Sequence, residues 1–186
     1  MRNAMTQSNA NPAKLVEDFL PLIKRQVQTN KVLDLACGSG RNGLFLNRHH
    51  IPVVFADNNP SALQNIAASE LFDRENAETW LVDFEQEDSK PLKCKKFDVV
   101  MVFNYLHRPL MDDIKECLVD GGLLLYETFT TEQALIGRPK NPDYLLTQAE
   151  LRRWFDGWEL LHYFEGEETK PHRFFANLVA RKPWTD

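Results

Sequence analysis

The sequence predicts an α/β protein with one Rossmann-like, doubly wound sheet, on three observations. Short apolar runs alternate with stretches of helical hydrophobic spacing, which is typical of parallel strands joined by right-handed crossovers. A glycine-rich segment follows the first apolar run and leads into a helical pattern. Two further apolar runs, joined by a charged segment that contains glycine, end the sequence and predict an antiparallel hairpin.

Length and composition are those of an ordinary globular domain. Of the 186 residues, 43% are hydrophobic and 26% charged, so we expect a single domain over residues 1–186 with a sizeable core. The net charge of −5 argues against nucleic acid as a partner. No apolar run is long enough to span a membrane. Cys37, Cys94 and Cys117 match neither a disulfide framework nor a zinc site, so we expect a cytoplasmic protein that holds no metal.

The amino-terminal half is predicted to alternate between helices and strands. Residues 1–11 are polar and are expected to form a flexible tail, not a signal peptide. A helix follows from Pro12, and Pro21 is expected to kink or end it. Ser61 is expected to cap a later helix. The predicted strands are 32–35, 52–56 and 80–84, and the helices between them are 42–49 and 61–71.

The second half continues this alternation and ends in the hairpin. Residues 130–147 have little periodicity and are long for a connector, so we predict a loop that caps a substrate. The charged residues 165–169 are predicted to form the solvated turn of the hairpin. The remaining predicted elements are a loop or short helix over 85–96, strands over 97–103, 123–129, 159–164 and 174–181, helices over 110–118 and 148–154, and a turn at 120–122.

The glycine-rich segment predicts a nucleotide site. Gly38, Gly40 and Gly43 lie between a predicted strand and a predicted helix, an arrangement that brings backbone close to a bound nucleotide. Their spacing satisfies G-x-G-x-x-G, and Asp57 lies about 20 residues downstream, as in dinucleotide-binding proteins. A nicotinamide-dependent oxidoreductase is therefore one alternative.

Acidic residues at the strand ends favour a different nucleotide. A carboxylate at Asp34, just before the glycines, would repel a pyrophosphate and attract a ligand with a positive end. Asp57 ends the second strand, where a carboxylate can accept hydrogen bonds from two ribose hydroxyls. Asp83 ends the third strand and can accept from an adenine amino group while Phe84 packs on the ring. Three acids at neighbouring strand ends predict one ligand crevice.

These residues carry a resemblance to a known family. The segment Asp34-x-Ala-Cys-Gly-Ser-Gly, the strand-end acids and the closing hairpin resemble class I S-adenosylmethionine-dependent methyltransferases over about residues 33–182. Within that superfamily, residues 37–43, 150–159 and 175–182 resemble the tellurite-resistance (TehB-like) branch. The resemblance implies the strand order 3-2-1-4-5-7-6 with strand 7 antiparallel. It also implies S-adenosylmethionine as the cofactor and S-adenosylhomocysteine as the product.

The resemblance further implies which residues hold that cofactor. Gly38 and Gly40 would approach its methionine part, and Asp34 would lie near its amino end. The ribose and adenine would be held by the two later acids and Phe84. The full set expected to bind the cofactor is Asp34, Ala36, Cys37, Gly38, Ser39, Gly40, Asn42, Asp57, Asn58, Asp83, Phe84 and Asn104.

Methyl transfer from a sulfonium is an in-line displacement on an activated donor, so alignment and desolvation supply much of the rate. The expected catalytic residues follow the strand at 97–103 and are Asn104, Tyr105, His107 and Arg108. Asn104 would accept from the cofactor amine or position the acceptor, and His107 would act as a base. In the structural alternative, Asn104 caps a turn, Tyr105 packs, and Arg108 pairs with a carboxylate. Glu127 is expected to need a partner, with Arg108 or Arg138 as candidates.

We therefore expect a methyltransferase that acts on a small-molecule or small-anion acceptor. An RNA methyltransferase is a second alternative, and the acidic net charge counts against it. A catalytically inactive regulatory protein that binds S-adenosylmethionine is a third. No pattern in the sequence assigns the acceptor or the oligomeric state.

Overall fold

Seven strands form one sheet in the computed structural model, which describes residues 11–184. In chain order they are β1 (Val32–Leu35), β2 (Val53–Asp57), β3 (Ala77–Leu81), β4 (Phe97–Phe103), β5 (Leu118–Phe129), β6 (Glu159–Thr169) and β7 (His172–Arg181). They lie in the order β3-β2-β1-β4-β5-β7-β6, and β7 is antiparallel to both of its neighbours. The predicted α/β class, strand order and antiparallel seventh strand are confirmed. Apart from Asn11, the predicted tail at residues 1–11 lies outside the described residues.

Helices cover both faces of the sheet. They are α1 (Lys14–Gln26), α2 (Arg41–Asn47), α3 (Pro60–Ala67), α4 (Met111–Cys117), α5 (Gln133–Ile136) and α6 (Glu150–Trp154). Apolar residues of α1, α2 and α3 form one core with their face of the sheet, and those of α4 and α6 form a second core on the other face. Every residue of β1 and β4 is buried between these layers, as expected for central parallel strands. Within residues 11–184, no helix has the length and apolar character needed to cross a membrane.

Two helix predictions are corrected by local chemistry. Helix α1 continues through Pro21, since a proline removes only one backbone donor and the buried Val16 and Ile23 hold the helix on the sheet. Helix α3 begins one residue before Ser61, because Pro60 takes the first helical position, which it favours. Its cap is Asn59, whose side chain accepts from the N–H groups of Ser61 and Ala62.

Two predicted strand limits, the end of β3 and the start of β5, are different in the structure. Pairing with a neighbouring strand sets both of them. Strand β3 ends at Leu81, opposite the last residue of β2, so Asp83 lies beyond the strand that it was predicted to end. Strand β5 includes the predicted turn at 120–122, because the N–H of Gly121 donates to the Lys182 carbonyl and the N–H of Lys182 to the Gly122 carbonyl. The pairing register with β4 shifts at this point.

The hairpin is longer than predicted. Strand β6 runs to Thr169, so residues 165–169 form strand and not the predicted solvated turn. Their charges are matched across the strands: Glu168 lies opposite Arg173 in register, and the two side chains form an ion pair at 2.5 Å. Cross-strand pairs of opposite charge stabilise antiparallel sheets.

Candidate functional site

The loop after β1 turns on residues with left-handed backbone. Ala36, Gly38 and Gly40 have φ angles of 52°, 54° and 70°, a region that favours glycine. The Gly38 N–H donates to Asp57 Oδ2 at 2.8 Å, and the Cys37 N–H donates to the Ala56 carbonyl oxygen at 3.0 Å. Asp57 therefore fixes the glycine loop against the end of β2.

Asp34 lies beneath this loop, in the core of the sheet. Its side chain is buried, and its Oδ2 accepts the Gly43 N–H at 2.9 Å. Burial raises the pKa of Asp34 to about 7, although the Gly43 N–H and the charge of Arg41 oppose the shift. The carboxyl group is therefore poised to lose its proton near neutral pH.

A cavity of about 320 Å³, the strand-end cavity, lies beyond the carboxyl ends of the parallel strands. It is lined by Ala36, Asp57, Asn58, Val82, Asp83, Phe84, Glu85, Asn104 and Tyr105. Open α/β sheets bind ligands at this edge. All the lining residues except Val82 and Glu85 were predicted for the cofactor or for catalysis. Val82 and Glu85 flank Asp83 and Phe84 in sequence. Their position beside a strand-end acid was the feature of the sequence that could have indicated them as lining residues.

Two carboxylates in this cavity are fixed by backbone donors. Asp57 Oδ1 accepts the Asn59 N–H at 2.9 Å, and Asp83 Oδ1 accepts the Glu85 N–H at 2.9 Å. A carboxylate oxygen accepts more than one hydrogen bond, so both groups keep capacity for a ligand. Phe84 is mostly buried and meets Trp80 edge to face, with ring centroids 5.7 Å apart.

The Tyr105 hydroxyl is buried in the wall of the strand-end cavity. Among the described residues, no hydrogen-bond partner of normal geometry reaches it. Burial raises the pKa of this phenol, and the charge of Glu85, a loose contact with the Glu85 carboxylate and the charge of Asp83 raise it further. It therefore remains protonated at neutral pH as a donor. A buried hydroxyl that makes no well-formed hydrogen bond within the described residues is uncommon and has capacity for a ligand contact.

Asn104 is held in place by the neighbouring strand. Its φ is 54°, and its N–H donates to the Glu127 carbonyl oxygen at 2.8 Å. Asn104 thus follows β4 with left-handed backbone and lines the strand-end cavity.

The other residues predicted for the cofactor do not line this cavity. Cys37, Gly38, Ser39 and Gly40 form the loop beside it, and Asp34 lies below. Asn42 is buried and its Oδ1 accepts the Ala13 N–H at 2.8 Å. Its side chain therefore joins α2 to the start of α1.

The four predicted catalytic residues divide between two cavities. His107 and Arg108 line an adjacent cavity of about 320 Å³, together with Asp143 and Tyr144. Glu85 borders both this adjacent cavity and the strand-end cavity. Asn104 and Tyr105 line only the strand-end cavity.

Arg108 has a structural task. Its Nε and Nη2 donate to the two carboxylate oxygens of Glu150 at 2.7 and 3.0 Å. Its Nη1 and Nη2 donate to the carbonyl oxygens of Asp143 and Leu145, both at 2.9 Å. Burial alone would raise the pKa of Glu150, but the Arg108 guanidinium and Thr147 hold that pKa below its usual range. Arg108 thus anchors the end of segment 130–147, in line with the structural alternative.

Replacing Arg108 by lysine should loosen this segment. Lysine keeps the charge but lacks the planar fork that reaches a carboxylate and two carbonyls together. The lysine variant should lose two or three hydrogen bonds of about 1 kcal/mol each. Amide exchange in this segment should therefore be roughly 10-fold faster or more. Hydrogen exchange at Tyr144 and Leu145 measures this. Exposed Arg74→Lys is the matched control, and unchanged exchange in Arg108→Lys would contradict the anchoring role.

Glu127 is buried, but its partners differ from those predicted. Its Oε1 pairs with Arg173 at 2.7 Å and its Oε2 accepts from Asn177 at 3.0 Å, so the prediction of Arg108 or Arg138 is wrong. Strand β7 lies next to β5, which brings Asn177 directly opposite Glu127.

Strand order, glycine loop and strand-end cavity together define the class I methyltransferase fold. The chain belongs to the TehB family, since the family model described as tellurite resistance protein TehB matches residues 13–177. These findings confirm the predicted fold class and the resemblance to the TehB-like branch.

Relatives and solved structures agree with this assignment. A probable S-adenosyl-L-methionine-dependent methyltransferase TehB of Haemophilus influenzae is 27% identical over 169 residues, covering 82% of this chain and 57% of that protein. The crystal structure of TehB from Haemophilus influenzae has a TM-score of 0.69 at 24% identity, over 89% of this chain and 62% of that chain. The chain thus spans less than two thirds of these relatives' length.

The fold is also shared with a protein that carries a different name. The cyclase SpnF has a TM-score of 0.67 at 16% identity, over 91% of this chain and 81% of that chain. The fold by itself therefore does not determine the reaction, and the residues of the site must carry the argument.

Proposed function

We propose that this chain is an S-adenosylmethionine-dependent methyltransferase that moves a methyl group from the sulfonium to a small nucleophilic acceptor. One observation carries this proposal. Within the described part of the chain, the residues that line the strand-end cavity include the carboxylates of Asp57, Asp83 and Glu85, and no lysine, arginine or histidine. Such a lining repels the pyrophosphate of a dinucleotide and favours a cofactor with a cationic centre. Membership of the TehB family supports the same conclusion.

The residues present fit this cofactor. Asp57 and Asp83 would accept from the ribose hydroxyls and the adenine amino group, and the Tyr105 hydroxyl supplies a donor that makes no well-formed hydrogen bond within the described residues. Asp34 and Asn104 would lie toward the amino end. When bound, S-adenosylmethionine supplies an activated methyl group. The protein's part is to orient the acceptor and exclude water.

The adjacent cavity is the proposed position of the acceptor. His107 would take the acceptor's proton there, if the acceptor carries one. Segment 130–147 would cap this cavity, since its residues Asp143 and Tyr144 line it and Arg108 holds it in place. Segment 130–147 also presents Leu135, which is 83% exposed.

Calorimetry tests the proposed cofactor. We expect micromolar binding of S-adenosylmethionine and S-adenosylhomocysteine, and none of NAD. Binding of NAD without either adenosyl compound would overturn the proposal. Transfer of a labelled methyl group to a panel of thiols, oxyanions, amines and RNA then tests the reaction. Cofactor binding with no transfer to any of them would favour a regulatory protein.

Asp34→Asn should separate binding of the cofactor from stability of the fold. In the free protein, burial raises the pKa of Asp34 from 3.8 to about 7, so the folded state binds more protons than the unfolded state between these values. The contribution of Asp34 to stability therefore falls as pH rises from about 4 to about 7. The asparagine variant lacks this loss and should be at least as stable as the natural protein at pH 7.5.

Affinity for the cofactor should change with pH in the direction opposite to the contribution of Asp34 to stability. A cationic amino end favours the ionised carboxylate, so affinity for S-adenosylmethionine should rise from pH 6 to pH 7.5. Loss of a charged hydrogen bond predicts about 10-fold weaker binding in Asp34→Asn at pH 7.5, with a smaller difference at pH 6. Thermal unfolding and calorimetry at both pH values measure this, with exposed Asp112→Asn as the control. Equal affinity at pH 7.5 would remove Asp34 from the proposed site.

A further inference from the structure

Arg41 is a cation beside the glycine loop, and the cofactor contacts proposed above do not use it. It directly follows Gly40 and is the first residue of α2. Its side chain is half-buried, and its Nη1 donates to the Asn11 carbonyl oxygen at 3.0 Å. Within the described part of the chain, Arg41 forms no ion pair. Its charge is therefore not neutralised by a direct carboxylate contact in the free protein.

The hydrogen bond that Arg41 makes leaves most of its donors free. A guanidinium has five N–H donors, and the contact with the Asn11 carbonyl uses one of them. The start of α1 is already joined to α2 by a second hydrogen bond, from the Ala13 N–H to Asn42 Oδ1 at 2.8 Å. Arg41 can therefore bind a further acceptor without releasing this part of the chain.

Asp34 and Arg41 place opposite charges at the same end of the glycine loop. Asp34 Oδ2 accepts the N–H of Gly43, which lies in the turn of α2 that Arg41 begins. Burial raises the pKa of Asp34, and the Gly43 N–H and the charge of Arg41 oppose that shift. The two side chains thus lie close enough to interact, yet they form no ion pair with each other. Opposite charges held apart in this way match an α-amino acid, which carries an ammonium and a carboxylate on one carbon.

The strand-end cavity itself does not suit an anionic group of a ligand. Its lining contains three carboxylates and, among the described residues, no lysine, arginine or histidine. A carboxylate of the cofactor would be repelled by these groups. It is therefore expected at the glycine loop, where Arg41 is the cation that follows the glycines in sequence.

We propose that Arg41 binds the carboxylate at the amino-acid end of S-adenosylmethionine and so makes the site specific for a cofactor that carries this group. The inference rests on the proposed function, in which Asp34 lies near the amino group of the same end. Guanidinium donors form charged hydrogen bonds with carboxylates, often two in parallel. Arg41 and Asp34 would thus bind the two charges of one amino acid and hold that end of the cofactor at the glycine loop.

Decarboxylated S-adenosylmethionine tests this proposal, because it keeps the sulfonium and the amine and lacks only the carboxylate. Its net positive charge is the larger of the two compounds, so an acidic site without a cation for the carboxylate would favour it. We expect the full chain to bind S-adenosylmethionine about 10-fold more tightly or better, as one charged hydrogen bond predicts. Calorimetry with each compound measures this preference. Equal affinities, or a preference for the decarboxylated compound, would overturn the proposal.

Substitution of Arg41 identifies the group responsible for this preference. Arg41→Gln keeps a donor for the Asn11 carbonyl but lacks the charge, so it should weaken S-adenosylmethionine about 10-fold relative to the decarboxylated compound. Removing the charge also raises the pKa of Asp34, but both compounds carry the amine, and the ratio of their affinities is not changed by this effect. Arg41→Lys keeps the charge without the planar fork and should recover part of the preference. Exposed Arg74→Gln is the matched control and should leave both affinities unchanged.

The results separate this proposal from the proposed function. If the natural chain prefers S-adenosylmethionine and Arg41→Gln keeps that preference, or weakens both compounds equally, the assignment of Arg41 is wrong while the proposed function stands. If the natural chain binds neither compound, the proposed function fails and the assignment of Arg41 fails with it.

Discussion

Asp57→Ala is expected to lower the affinity for S-adenosylmethionine by about 100-fold or more, since charged hydrogen bonds contribute about 1.5–3 kcal/mol each. The proposed ribose contacts account for part of this loss. Asp57 also accepts the N–H groups of Gly38 and Asn59, so its removal releases the glycine loop as well. Calorimetry with the cofactor measures the loss directly.

Two further variants make this experiment decisive. Asp73→Ala removes a carboxylate that accepts from the Glu75 N–H and the Asn76 side chain in a turn outside the cavity, and it should leave affinity unchanged. Asp57→Asn keeps one acceptor for the loop but has no charge. We expect it to recover stability without recovering affinity. Affinity of Asp57→Ala within twofold of the natural protein would rule out the ribose assignment.

Gly43→Ala is expected to destabilise the fold by about 2 kcal/mol, although alanine favours a helix over glycine by about 1 kcal/mol. A Cβ at this position would lie 2.3 Å from Phe55 Cε1 and 2.8 Å from Asp34 Oδ2. Phe55 is fully buried, and a close-packed interior has little space to move it. The clash would also displace the N–H that Asp34 accepts. Urea unfolding measures the change in free energy.

Gly38→Ala is the matched control for this prediction. Apart from Gly38 itself and its two chain neighbours, no heavy atom of the described residues lies within 4 Å of the position that its Cβ would take, and only the φ of 54° opposes a side chain. A cost of roughly 1 kcal/mol is expected from left-handed backbone. The two variants thus separate the packing of a residue within α2 from the backbone strain of a residue in the loop before it. A Gly43→Ala protein as stable as the natural one would contradict this prediction, because the Phe55 ring would then move aside at no cost in free energy.

The strands at the centre of the sheet were the most predictable part of the fold. Residues 32–35 and 97–103 were predicted as strands and form β1 and β4 with the same limits. Consecutive apolar residues that are buried on both faces leave a clear signal in the sequence. The ends of β3 and β6 were not predictable in this way, because they depend on the length and charges of the strand alongside.

The candidate site likewise has a part that was predictable from the sequence and a part that was not. Acids that follow β2 and β3 were predicted to meet because parallel strands end at one edge, and Asp57 and Asp83 do line one cavity. The side chain of Asn42 was assigned to the cofactor by resemblance, yet it contacts the start of α1. Its partner, Ala13, is remote in sequence, and no local pattern indicates that contact.

The sequence by itself determined the class of fold, the glycine loop and the acids beside it, since periodicity and strand-end position are properties of short segments. Only the tertiary structure decided the partners of the buried charges. Arg108 reaches Glu150 and Glu127 reaches Arg173 and Asn177 across 42, 46 and 50 residues of chain. Such pairs depend on which strands and loops become neighbours, and that is set by the packing of the whole sheet.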